Sequence, residues 1–344
     1  MSARPIAYVM EQTLGNITHY LNLRQHDVDQ GARMWIPIEY REGMVPWALT
    51  GSMLARRALS PVVRDIDGIF IHTTTLSLFS GDYFKNKPTV LSSDGTPLNK
   101  RLMREAYGLR PQTALEEHGK RAVYRAVFAR ASGFVAWSTW AKASFIEDYG
   151  CRDEDVVVIP PGIDLVRFSA GDRSNAVPRI LFIGGDFYRK GGDLLLNVFR
   201  SRLRGRAELL VVTRTDLPNE PGVTIHRNVQ VNSPTLRNLY ATSDIFVLPT
   251  RADCYSLVCM EALAAGMPVV ATRVGGIPDM IREGETGHLV EANDEHAFGD
   301  ALISLIDHPE RRAVMGRRGR EDAERRFEAS ENARRLFEFV RSRC

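Results

Sequence analysis

Residues 253–272 read DCYSLVCMEALAAGMPVVAT, and the order of residue types in this stretch decides the fold class. Asp253 opens a short loop. An apolar run rich in strong helix formers follows and stops at Gly266. Pro268 forbids continuation of the helix, and the β-branched, apolar residues 269–272 read as a buried strand. Helix, tight turn and buried strand in so short a span is the pattern of an α/β unit. One residue is out of place in it. Glu261 lies among Leu257, Met260, Ala264 and Ala265, on or beside a buried face where an unpartnered carboxylate is costly. Its donors must come from the backbone or from hydroxyls of a ligand held over the helix N-terminus.

Upstream of this stretch the same logic repeats. Strands are expected over 180–183, 209–212, 223–226 and 245–248, with helices from Gly191 and over 233–241. Before them, VVVIPPGIDLVRFSAGDRSNAVPR breaks the periodicity with prolines, glycines and polar residues. The first half carries its own set of strands, over 6–10, 34–39, 68–72, 89–92, 133–136 and 156–159, with helical patterns between most of them. The chain therefore divides into a first Rossmann-like domain (1–161), a linker (162–178), a second such domain (179–330) and a last helix (331–344) packing back on the first. No short repeat links the halves; they are similar in plan. Alternation of this kind predicts doubly wound, mainly parallel sheets with ligands beyond the carboxyl ends of the strands. In the first domain that places the functional loops at 11–16, 72–75 and 92–97.

Composition excludes several classes. With 344 residues, 44% hydrophobic and 25% charged, the chain has material for two cores and is not a disordered one. No apolar run approaches the roughly 20 residues that span a bilayer. The apolar piece 6–10 runs straight into Glu11 and reads as a first strand rather than a signal peptide. A net charge of +3 offers little attraction to nucleic acid. Cys151, Cys254, Cys259 and Cys344 have neither zinc-site nor CxxC spacing and read as packed thiols of a cytoplasmic protein.

The segment IGGDFYRKGGD, residues 183–193, leaves a strand and enters a helix with Arg189 and Lys190 between two glycine pairs. Backbone amides and two cations could cradle a diphosphate there, or the glycines could serve geometry alone around a solvated turn. It is neither GxGxxG nor a Walker loop, so a nicotinamide cofactor or ATP hydrolysis has no support. A second helix N-terminus falls at Tyr255, Ser256, Leu257 and Val258, and VGGIPDM supplies small residues that let backbone approach a ligand. All these loops follow strands of one sheet and should share an edge.

Several of these segments occur in one order: FVAWSTWAKASFIEDYG, VVVIPPGIDLVRF, RKGGDLLL, YATSDIFVLPT and DCYSLVCMEALAAGMPVVATRVGGIPDMIREGETGHLV. Together they resemble the retaining glycosyltransferases of family 4, over most of the chain from Gly133 to Val290. The resemblance implies a GT-B architecture, two Rossmann-like domains facing across a cleft, and a UDP- or GDP-sugar donor bound chiefly by the second. It implies that Glu261 holds the donor ribose and that Asp253, where the family has Glu, lies beside the donor sugar. Arg189 and Lys190 match the basic pair directed at the diphosphate, while an earlier Arg of that loop is Gly185 here. Gly15 and Asn16 match a glycine loop near the phosphates and acceptor, with His19 a structural residue behind it. Asp94 stands at a strand end where many members carry His, and its carboxylate would accept from sugar hydroxyls or stabilise positive charge on the anomeric carbon, a reading favoured over a simple Asp-Gly turn. His72 is the competing candidate. Catalysis would rest on Lys190, Asp94 and Asp253, with no metal and no cofactor beyond the donor.

Three further readings complete the sequence picture. The DxD triad at Asp65 and Asp67 precedes a strand, at the wrong sheet edge for a diphosphate metal. Lys100, Arg101, Arg104, Arg110, Lys120, Arg121, Arg125 and Arg130 form a basic face, read first as solvated and second as a peripheral dock on anionic lipid at the inner face of the membrane. The resemblance implies a hydroxyl acceptor, such as a saccharide or a lipid-linked sugar. Two other functions stay open: a nucleotide-sugar epimerase of the same fold, and a nucleotide-sugar-binding protein without catalysis.

Overall fold

The computed structural model describes residues 4–13, 15–29, 31–40, 47–108, 110–171, 173 and 175–344. Leu14 of the expected glycine loop and residues 172 and 174 of the expected linker lie outside the described residues. The chain folds as two compact units, one formed by 1–104, 110–162 and 329–344 and the other by 105–109 and 163–328.

In the first unit the order is β1 (Ile6–Glu11), α1 (Gly15–Gln25), β2 (Arg33–Ile38), α2 (Trp47–Leu59), β3 (Gly68–His72), β4 (Thr89–Ser93), α3 (Pro97–Leu102), α4 (Ala114–Phe128), β5 (Gly133–Ala136), α5 (Thr139–Glu147) and β6 (Val156–Val158). The six strands are parallel, in the order β2-β1-β3-β4-β5-β6. Alternate side chains feed two apolar layers, as the period of two requires. Ala7, Val9, Ile69, Ile71 and Leu91 pack with Leu59, Tyr124 and Phe128 on one face. Tyr8, Met10, Phe70, Val90 and Val135 pack on the other with Leu336, Phe337 and Val340.

The second unit runs β7 (Arg179–Ile183), α6 (Gly192–Val198), β8 (Glu208–Val212), β9 (Val223–His226), α7 (Pro234–Thr242), β10 (Ile245–Leu248), α8 (Leu257–Ala264), β11 (Val269–Thr272), β12 (Gly287–Val290), α9 (Glu295–Asp307) and α10 (Pro309–Arg326). Its sheet is again parallel and ordered β12-β11-β10-β7-β8-β9, the doubly wound arrangement. The chain then returns to the first unit as α11 (Ala329–Arg343), whose Ala333, Leu336, Phe337 and Val340 cover the sheet there.

Most strands fall where the sequence periodicity places them. The edge strand β12 is the element that periodicity misses, because Gly287 and His288 interrupt its apolar run. The glycine is a packing requirement, since a Cβ there would lie 2.0 Å from the Val269 carbonyl oxygen of β11. No helix of the described residues is long and apolar enough to cross a membrane.

Candidate functional site

In the second unit the chain leaves β7 toward β8 on one side and reaches β10 on the other, so the carboxyl ends of β7 and β10 flank the point where the winding reverses. Crevices of open α/β sheets form at such points. The loops leaving these two strands, 184–191 and 249–256, bring Lys190 and Asp253 together as an ion pair whose side chains are only 15% and 11% exposed. Arg189 turns inward: its Nε donates to Asp186 Oδ2 at 3.0 Å and its Nη1 to the Ala252 carbonyl at 2.6 Å. Both cations read from the sequence are therefore bonded to carboxylates of this edge. Asp253, expected beside a sugar, is ion-paired with Lys190.

The glycines of this loop serve geometry. Gly191 has φ +77° and caps α6, and a Cβ on it would lie 1.9 Å from the Pro249 carbonyl oxygen. Gly192 lies under the Phe187 ring, where a Cβ would come within 2.2 Å of a ring carbon and only hydrogen fits. Gly275 of the VGGIPDM segment, with φ +57°, lets backbone approach backbone: its Cβ would meet the Asp253 carbonyl oxygen at 2.0 Å, and Gly276 N donates to Cys254 O at 2.9 Å. The small residues expected to admit a ligand thus hold the Asp253 loop in place.

Helix α8 follows, with Ser256 at its N-cap and Gly266, φ +70°, just past its end. The Ser256 hydroxyl is buried, and among the described residues its one, weak partner is the Cys259 thiol. Tyr255 is buried, while Leu257 and Val258 are half-buried in the first turn. Glu261 is 4% exposed, and its donor is a side chain: Tyr240 Oη donates to Glu261 Oε2 at 2.6 Å. Burial raises the Glu261 carboxyl from 4.5 to about 7, against the Tyr240 hydrogen bond, which lowers it. The same burial and the carboxylate push the Tyr240 phenol well above its ordinary value.

The first unit reverses its winding between β1 and β3. A hydrogen-bonded chain occupies the carboxyl ends there. Ser92 Oγ meets His72 Nδ1 at 3.2 Å, His72 Nε2 meets Asn16 Oδ1 at 3.1 Å, and Asn16 Nδ2 donates to Thr13 Oγ1 at 3.3 Å. The chain ends on Glu11, whose Oε1 accepts from Thr13 at 2.7 Å and Tyr40 at 2.6 Å and whose Oε2 accepts from Thr73. His72 is fully buried and stacks on Trp137 with ring centroids 4.9 Å apart. Burial, reinforced by the Lys100 charge, lowers it to about 3, so it is a neutral imidazole. His19 is likewise buried and held neutral by burial and by His72. Gly15 opens α1, and Glu11, Thr13 and Asn16 of the expected loop 11–16 all belong to this network. Asp94 lies in the bend after β4 and forms an ion pair with Lys100 at 3.2 Å.

Two residues were missed by reading the sequence, Tyr240 and Arg214, while Glu11 falls in the expected loop 11–16 without a role of its own. Tyr240 looks like an ordinary helix aromatic until the fold brings its partner, so no local signal marks it. Arg214 follows β8, and its guanidinium Nε and Nη2 lie 3.2 Å from where a Gly185 Cβ would be. It makes no hydrogen bond or ion pair with any described residue and is exposed. Asp67, of the DxD triad, accepts from the Arg4 backbone N–H at 2.9 Å just ahead of β3, at the amino edge of the sheet. In the basic face, Arg101 pairs with Glu117 and Arg110 with Glu116, while Arg121 and Arg130 donate to backbone carbonyls.

Known proteins place this geometry in a family. The pattern "Glycosyltransferase Family 4" matches residues 10–167, and "Glycosyl transferases group 1" matches residues 177–308, so the two together take in both units. The chain belongs to the family-4-like glycosyltransferases. Curated relatives of this chain include D-inositol 3-phosphate glycosyltransferase 1 of Catenulispora acidiphila, 32% identical over 55% of this chain and 52% of the relative. The Thermobifida fusca D-inositol 3-phosphate glycosyltransferase is 29% identical over 56% of this chain and 51% of its own. The chain spans about half the length of these curated relatives. Among solved structures, sucrose-phosphate synthase from Thermosynechococcus elongatus superposes with a TM-score of 0.79 at 17% identity, covering 98% of each chain. Anabaena HepE in complex with UDP gives 0.75 at 15% identity, covering 98% of this chain and 100% of that one. The glycosyltransferase fold of this chain is GT-B.

Proposed function

We propose that the protein is a retaining glycosyltransferase that moves a hexosyl group from a UDP- or GDP-sugar to a hydroxyl acceptor, without a metal. The observation that carries the reading is the pairing of Lys190 with Asp253 at the winding reversal of the second sheet, beside α8 with its buried Glu261. Glu261 accepts the ribose hydroxyls, and the α8 N-terminus at Tyr255, Ser256, Leu257 and Val258 faces the donor. Lys190, Arg189 and Arg214, the last without a partner among the described residues, supply positive charge for the diphosphate. Gly15 and Asn16 of the first unit serve the phosphates and acceptor, and Asp94 serves the sugar. HepE was solved with UDP and with UDP-glucose, which favours a nucleotide-sugar donor. The inositol phosphate relatives add a phosphorylated cyclitol to the saccharide and lipid-linked acceptors worth testing.

In this reading the bond from the anomeric carbon to the diphosphate oxygen breaks, and its electron pair leaves with the nucleoside diphosphate. The acceptor oxygen bonds to the same face of that carbon and its proton passes to a donor phosphate oxygen. The cations stabilise the growing diphosphate charge, which is electrostatic preorganisation and requires no side-chain base. The protein acts on the cytoplasmic side, where its four cysteines, none of them in a disulfide, stay reduced.

A panel of nucleotide sugars, scored by thermal shift and by release of UDP or GDP, tests the proposal. The donor is expected to stabilise the fold in proportion to its affinity, and release is expected to need an acceptor such as D-inositol 3-phosphate or a saccharide and to persist in EDTA. Conversion of the donor with no acceptor present would make it an epimerase, and tight donor binding with no turnover a binding protein.

A further inference from the structure

We infer that Tyr240 is the positioning residue for Glu261, fixing the orientation and ionisation of the carboxylate that the proposed donor site uses. This rests on the nucleotide-sugar reading above.

The geometry is one of a fixed donor aimed at a buried acceptor. Tyr240 lies in α7, which Ser233 caps by accepting from Leu236 N at 3.2 Å. Its ring is held edge-on by Phe168, with centroids 5.4 Å apart, and is stacked with Phe246 at 6.1 Å. The ring is fully buried, so the phenol oxygen has a single direction in which to point. It reaches Glu261 Oε2 at 2.6 Å, with the Val258 carbonyl a distant alternative at 3.4 Å. No described residue donates to Glu261 Oε1, which leaves that oxygen for a ligand hydroxyl.

Of the charged and titratable groups around this carboxylate, Tyr240 is the one hydrogen-bonded to it; Arg320 of α10 is bonded to the Ala264 carbonyl and Arg173 to the Tyr240 and Ala265 carbonyls. Cys259, on the same helix, is pushed up to about 12 by burial and stays a neutral thiol. Lys190 and Asp253, from the two loops over the helix start, neutralise each other. Against burial, which holds the Glu261 carboxyl near 7, the phenol hydrogen bond is the influence that favours the ionised form. An ionised carboxylate accepts from ribose hydroxyls; a protonated one has lost an acceptor site.

The test is titration calorimetry of UDP-glucose and GDP-mannose into the intact chain between pH 5.5 and 9. In the wild type, affinity for the preferred probe is expected to fall on acidification with a midpoint near neutrality, and Glu261→Gln to remove that dependence. Tyr240→Phe is expected to move the midpoint upward by at least half a pH unit, weakening binding several-fold at pH 6.5 and restoring it at pH 9. A 3-fluorotyrosine at 240, a stronger donor of nearly the same size, is expected to move it down and covers the case in which the phenylalanine variant does not fold. An unchanged midpoint in both variants, or a loss uniform across pH, would overturn the inference while leaving the donor reading intact. A wild-type chain that binds neither probe at any pH would instead remove the donor reading itself.

Discussion

At the scale of single residues, the two carboxylates of the DCYSLVCME stretch have different physical situations. Asp253 is already neutralised by Lys190, so an arriving diphosphate competes with it for that cation. Asp253→Asn leaves a partly buried ammonium without its counter-ion; it is expected to cost about 1–3 kcal/mol of stability while binding UDP or GDP at least as tightly as the wild type. Calorimetric binding beside thermal unfolding checks this, and a loss of affinity equal to that of Lys190→Ala would contradict it. Glu261 carries a linkage signature of the opposite sign to an ordinary salt-bridged carboxylate. Its folded-state value, about 7, lies above the 4.5 of the unfolded chain, so the folded state is penalised as pH rises from 4.5 through 7. Relative to wild type, Glu261→Gln is therefore expected to gain stability over that window, by up to about 3 kcal/mol between pH 4.5 and 8.5. Denaturant midpoints that run parallel across that range would show that the carboxyl is not perturbed.

Among elements, the turn between β7 and α6 decides whether the second unit's edge is formed. Gly191 combines a left-handed backbone with an approach to Pro249 that leaves no room for a methyl group. Gly205 shares the left-handed conformation, φ +78°, but has open space around it. Gly191→Ala is expected to destabilise by about 2–4 kcal/mol and to lower donor affinity, whereas Gly205→Ala loses only about 1 kcal/mol from backbone strain. Equal losses in thermal unfolding would refute the role given to the Pro249 contact. The sequence does not show which of these two glycines lacks room for a methyl group. The phosphate-cradle reading of the Gly191 loop came from its position after a strand, and that position is what the sheet order supports; the glycines themselves serve the packing of 184–191 on Pro249.

The whole molecule is two separately cored units threaded by one chain. The last helix belongs to the first unit although it follows the second in sequence, because its apolar stripe covers Tyr8, Phe70 and Val90. Leu336→Ala, at a side chain 1% exposed, is expected to cost about 2–5 kcal/mol and to act on the first unit's unfolding. Scanning calorimetry should show that unit's transition moving down with the second unit's unchanged; an equal shift of both would mean that they unfold as one.

The amino-acid sequence alone determined most of the strands, the α/β class and the family resemblance, because these depend on local periodicity, turn residues and the order of short motifs. It also singled out Glu261, since a carboxylate on an apolar helix is anomalous wherever the helix lies. Only the tertiary structure decided its partner. Tyr240 precedes Glu261 by 21 residues and a strand, and nothing in the intervening sequence encodes the 2.6 Å between them. The same holds for Lys190 with Asp253, read as two separate ligands of a donor and found bonded to each other, and for Glu11, whose donors Thr13, Tyr40 and Thr73 come from three segments. Sequence patterns report which face of an element is buried. Which polar group meets which across two loops depends on the winding of the sheet, which brings distant strand ends side by side.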